Sequence, residues 1–149
     1  MVDEHIYKRH NKTLLLYHLV FPLKYRRGAL NSSSGVSLKD ICVEISERYE
    51  LQFLEIGYES DHVHFLVQAV PSISVSKLVT LIKSLTAREL FKRHPEIKQL
   101  LWGGNFWTSG YYANTVGQYG NKDVIRKYIE NQGKENEYQK VHLEQLRLF

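Results

Sequence analysis

The chain has 149 residues, 43% of them hydrophobic and 24% charged, a composition that suits one soluble domain and leaves no room for two independent cores. A single cysteine, Cys42, excludes an internal disulfide framework and a cysteine-based zinc cluster, and every apolar run is far shorter than a membrane span. Twenty Lys and Arg against 16 Asp and Glu give a formal charge of +4, which tilts toward a polyanionic partner.

The first eleven residues mix acids and bases rather than forming a signal-type apolar run, so the expected setting is the reducing cytoplasm. Leu14 to Phe21 reads as a strand rich in Leu, Tyr and Val, closed by Pro22, which lacks a ladder donor. Lys24, Arg26 and Arg27 then surround Tyr25, a grouping that suits phosphates and an unstacked base, although charge alone favours a solvated strand end. Asn31 to Gly35, with its three consecutive serines, is expected to be a loop. Leu38, Ile41, Cys42, Ile45 and Tyr49 recur at helical spacing, with Ser37 placed to cap the first turn.

Leu51 to Tyr58 and His62 to Val70 are two strand-like runs joined by Glu59, Ser60 and Asp61, short enough for an antiparallel hairpin. Ser74 is placed to cap a long helix whose Leu78, Val79, Ile82 and Leu85 form an apolar stripe running toward His94 and Pro95. After a turn at Gly103 and Gly104, the aromatic stretch Phe106 to Thr115 is expected to be the fourth strand, with Gly110 inside it. Asn121 to Asn131 and Glu135 to Leu148 are further helical patterns, broken at Gly133. The order strand, helix, strand, strand, helix, strand predicts an α+β ferredoxin-like split βαβ sandwich. Two helices would cover one face of a four-stranded antiparallel sheet and a C-terminal helix the other.

His62 and His64 carry the sharpest chemical signal. Residues i and i+2 of a strand project to one side, where two imidazoles can hold one metal ion; paired strand histidines that are simply half-buried and hydrogen-bonded are the plainer alternative. Tyr128 and Gln132 are i and i+4, stacked about 6 Å apart on one face of a helix. Gln132 offers a carbonyl oxygen that suits Mg²⁺ or Mn²⁺ beside nitrogen donors, and Tyr128 a hydroxyl, although an inward tyrosine also serves as core packing. Ser32 to Ser34 lack an elbow motif, Cys42 falls on an apolar stripe, and Gly103–Gly104 lacks the lysine of a phosphate loop.

Taken together, Tyr17 and His18, Lys24 to Arg27, Asp61 to His64, Phe106, Trp107, Gly110, Tyr111, Thr115 to Gly117 and Tyr128 to Gln132 resemble one family in order and spacing. It is the single-tyrosine HUH transposases of the insertion-sequence 200/605 type, with REP-associated tyrosine transposases as near relatives, and the resemblance implies one such domain over residues 1–149. By it, His62, His64 and Gln132 would ligate a divalent metal, Mg²⁺ or Mn²⁺, and Tyr128 would be the nucleophile. The C-terminal helix would carry that nucleophile. The implied activity is cleavage and rejoining of single-stranded DNA at element ends through a 5′-phosphotyrosine. Subterminal DNA hairpins would be recognised by a homodimer whose active sites can be shared between subunits. Lys24, Arg26, Arg27 and Lys83 are the expected DNA contacts, although Lys83, Ser84, Leu85 and Thr86 depart from the Lys, Gly and paired Ser that relatives often carry. Three alternatives stay open: a non-catalytic single-stranded nucleic-acid-binding module, a domesticated REP-associated enzyme acting on chromosomal hairpins, and a small homodimeric metal-binding protein that would hold a metal but form no covalent DNA adduct.

Overall fold

In a computed structural model that describes residues 4–23, 30–59, 61–100 and 105–117, a four-stranded antiparallel sheet organises the chain. Its core is the pairing of β3 (Leu15–Pro22) with β5 (His62–Ala69), in register over eight residues from Leu15 opposite Ala69 to Pro22 opposite His62. β4 (Gln52–Tyr58) flanks β5 and β6 (Tyr112–Val116) flanks β3, giving the order β4-β5-β3-β6. That order, with α1 (Ser32–Arg48) and α2 (Val75–Arg93) as the two crossovers, is the expected ferredoxin-like arrangement.

The two-residue strand period sorts the side chains. Leu19, Phe21, Val63, Phe65 and Val67 face the helices and join Leu38, Ile41, Ile45, Leu78, Ile82 and Leu90 in the main core. The opposite face carries His18, His62 and His64 toward one end and a smaller apolar cluster of Leu16, Leu66 and Val116 toward the other. All eight residues of β5 are buried, so both faces of this strand are covered. β4 contains a bulge between Phe53 and Glu55, and the extra residue, Leu54, packs with the smaller cluster.

Two expectations are corrected. The serine run is the first turn of α1, not a loop: the Asn31 side chain accepts from the Ser33 and Ser34 backbone amides at 2.9 Å each, and Ser34 Oγ accepts from the Asn31 amide at 2.9 Å. This reciprocal cap satisfies donors at the helix start and replaces the role expected of Ser37. Ser37 instead lies within α1, its hydroxyl 2.7 Å from His94 Nε2. Gly35 is required in that first turn because a Cβ there would collide with the ring of Tyr58.

The fourth strand is also shorter than expected, and Gly110 lies outside it. Phe106 and Trp107 are buried in the main core, and Trp107 forms only an isolated bridge to Leu23. The carbonyls of Thr108 and Gly110 bond to Lys83 Nζ at 2.8 Å each, so a helix side chain takes the place of a strand ladder. Ser74 caps α2 as expected, accepting from the Lys77 amide at 3.1 Å. The short pair β1 (Ile6–Lys8) and β2 (Asn11–Thr13) and the short α3 (Pro95–Leu100) add elements that the sequence reading did not foresee. Among the described residues, no helix is long and apolar enough to cross a membrane. The expected C-terminal helices and the turn at Gly103 and Gly104 lie outside the described residues.

Candidate functional site

The central strands bring three histidines together on the sheet face opposite α1 and α2. His62 and His64 project to the same side of β5, with ring centroids 4.9 Å apart and nearly perpendicular planes (77°). From β3, His18 reaches diagonally to the same spot: it pairs with Leu66 while His64 pairs with Val20, and the two rings meet edge to edge, centroids 5.1 Å apart and planes within 12°. All three imidazoles are at most 3% exposed.

Each β5 histidine is held through Nδ1. His62 Nδ1 lies 2.5 Å from Asp61 Oδ1, a contact made at the strand entry, where Asp61 ends the hairpin turn. His64 Nδ1 lies 2.8 Å from His18 Nε2. With Nδ1 engaged on both rings, Nε2 is the nitrogen each can give to a metal, an arrangement in which outer partners fix the tautomer and orientation of the ligands. Burial lowers the His18 pKa to about 4, so this ring is neutral at physiological pH. Among the described residues its buried Nδ1 finds no hydrogen-bond partner, while Tyr112 approaches the ring edge-on at 6.1 Å.

Among the described residues, no three His, Cys, Asp or Glu side chains converge as a metal site. A cation on His62 and His64 must therefore take its other donors from elsewhere. Tyr128 and Gln132 lie outside the described residues, as do Lys24, Arg26 and Arg27. Lys83 does not join the histidines: it sits on the helix side of the sheet, 5.4 Å over the Phe21 ring and 5.7 Å over that of Tyr111. Burial lowers its pKa from the ordinary lysine value. Cys42 is fully buried, and burial pushes its thiol well above the usual range, which suits a packing role.

His18 is the residue whose role the sequence left unassigned. Strand alternation places it on one face with Leu16 and Val20, but its meeting with His64 depends on interstrand register, which a single strand pattern does not encode.

Comparison with known proteins identifies the family. The family described as "Transposase IS200 like" matches residues 11–132. The chain is 36% identical over 118 residues to the ISDra2 transposase TnpA of Deinococcus radiodurans, spanning 79% of this chain and 84% of that protein. It is 31% identical over 127 residues to the transposase for insertion sequence element IS200 of Salmonella typhimurium, spanning 85% of this chain and 82% of the relative. The crystal structure of a candidate transposase from Deinococcus radiodurans superposes with a TM-score of 0.68 at 34% identity, over 85% of this chain and 97% of that one. A REP-associated tyrosine transposase solved with a REP hairpin shares the fold at a TM-score of 0.57 and 12% identity, over 83% and 69% of the two chains. With the family match running through nearly the whole described region, the chain belongs to the IS200-like transposases.

Proposed function

We propose that the chain cleaves and rejoins single-stranded DNA at the ends of an insertion element through a 5′-phosphotyrosine on Tyr128. The observation that supports this reading is the buried pair His62 and His64, each with Nδ1 engaged by a neighbouring side chain; in this reading Nε2 of each is the metal donor. Gln132 adds an amide oxygen, and two imidazoles with one oxygen donor suit Mg²⁺ or Mn²⁺. Bound there, the metal supplies positive charge that polarises the scissile phosphate and stabilises its developing negative charge.

The protein's own part is nucleophilic. Tyr128 Oη attacks the phosphorus, its proton passing to solvent, while the bond from phosphorus to the 3′-oxygen breaks and that oxygen is protonated. In the second step the 3′-hydroxyl of another strand attacks the phosphotyrosine, the bond from phosphorus to Oη breaks, and Tyr128 regains a proton. One phosphodiester replaces another at each stage, so no nucleotide hydrolysis is needed, and covalent capture divides one hard transfer into two.

Lys24, Arg26 and Arg27, just past the end of β3, contact DNA phosphates. Lys83 spends two donors on Thr108 and Gly110, leaving its third ammonium proton for a phosphate. The DNA is a hairpin near the element end, and a homodimer is the working unit, the tyrosine helix of one subunit completing the metal site of the other. A REP hairpin is the ligand in the solved REP-associated transposase, which supports a hairpin here.

A denaturing-gel assay tests the proposal. End-labelled single-stranded DNA from the element flanks is incubated with protein and Mn²⁺, beside Tyr128→Phe and His64→Ala. A protein-linked band only in the unsubstituted chain with metal supports it; retarded DNA in a native gel with no covalent band under any metal would sink it in favour of a binding module.

A further inference from the structure

The His18 imidazole is neither a nucleophile nor placed as a third ligand, yet it is fully enclosed beside the ring expected to bind metal. Its Nε2 lies 2.8 Å from His64 Nδ1, its plane is within 12° of the His64 plane, and it is 3% exposed. It stands on the strand that pairs with β5 over eight residues, so its backbone position relative to His64 is set by the longest ladder in the sheet.

We propose that His18 is a positioning residue for the metal site: it accepts the Nδ1 proton of His64 and thereby holds the Nε2 lone pair of that ring toward the cation. The inference rests on the metal role assigned above to His62 and His64. The two ligands are then held by different chemistries. Asp61 places a carboxylate oxygen against His62 Nδ1, whereas a ring nitrogen stands against His64 Nδ1. An imidazole partner accepts a hydrogen bond without placing a formal negative charge beside the second ligand. A donor pair with only one carboxylate behind it binds a cation less strongly than one with two, and it leaves more of the cation's charge for the phosphate.

The rings are nearly coplanar and meet edge to edge, so their in-plane hydrogen bond resists rotation of the His64 ring about χ2, and the Tyr112 edge closes the far side of His18. Register does the rest, because a slip of one residue between β3 and β5 would turn His18 to the helix face.

The test compares the full chain with His18→Phe, which keeps the ring but removes the acceptor, and His18→Gln, whose amide oxygen can restore it. Mn²⁺ binding is measured by calorimetry and by the loss of the free Mn²⁺ resonance signal, with the melting temperature followed in parallel. The expected result is a 10- to 100-fold weaker Mn²⁺ affinity for His18→Phe, the range for loss of a ligand's outer partner, with affinity substantially recovered in His18→Gln. Should His18→Phe not fold, His18→Asn serves in its place, since its shorter amide falls short of His64; the same weakening is expected. Unchanged Mn²⁺ affinity in a folded His18→Phe or His18→Asn overturns the positioning role while leaving the metal site standing. Absence of Mn²⁺ binding by the unsubstituted chain overturns the metal reading, and the proposal with it.

Discussion

Asp61 Oδ1 sits 2.5 Å from Nδ1 of the residue that follows it, His62, so one turn residue both ends the β4–β5 hairpin and orients the first histidine of the pair. Asp61→Asn keeps the size and removes the charge. The expected outcome is a folded protein whose Mn²⁺ affinity falls by about 10- to 100-fold, read by calorimetry, because the amide presents either a weaker acceptor or a competing donor to Nδ1.

Stability should depend on pH through His18. Its pKa falls from 6.5 unfolded to about 4 folded, so between these values the unfolded chain binds the extra proton. The stabilisation from its neutral burial is present above pH 6.5 and is lost as pH drops toward 4. The loss attributable to this one group is about 3 kcal/mol. Denaturant melts from pH 7 to pH 4 check this: His18→Gln should flatten the slope, and an unchanged slope would count against burial of a neutral ring.

Lys83 ties α2 to the segment before β6 through the carbonyls of Thr108 and Gly110. Lys83→Met keeps the apolar stem and takes the ammonium donor from both carbonyls, at a cost of about 1–3 kcal/mol. Hydrogen exchange should quicken at Ser109 to Tyr111 while the β3–β5 amides keep their protection.

In the core, the Trp107 indole N–H donates to Thr86 Oγ1 at 2.9 Å, and that hydroxyl donates to the Ile82 carbonyl at 2.6 Å. Thr86→Val preserves the shape but strands the indole donor in an apolar setting. A chemical-denaturation loss of about 1–3 kcal/mol is expected, with the fold intact by circular dichroism.

The legibility of this chain in its sequence divides by the range of the interaction. β3, β5 and α2 were readable because alternation in Val63, Phe65 and Val67 and helical spacing in Leu78, Val79 and Ile82 are local signals of burial. At the start of α1 three serines resemble a loop, whereas their meaning depends on Asn31 closing a reciprocal cap. The extent of β6 was overstated because Phe106 and Trp107 carry strand propensity but fill the core between α2 and the sheet. At the site, His62 and His64 stood out through spacing within one strand. His18 acquires a role only when β3 and β5 are paired, and the sequence separation of 46 residues hides that pairing from any window.

The bulge in β4 has an effect at a distance from where it forms. Had β4 stayed in step with β5 beyond Phe53, Ile56 would stand opposite His64; the extra residue advances the strand so that Gly57 does. The cross-strand neighbour of the inner histidine on that side therefore has no side chain. A one-residue insertion ahead of Glu55 that left the bulge in place would bring Ile56 opposite His64 and crowd the histidine pair with a branched aliphatic group.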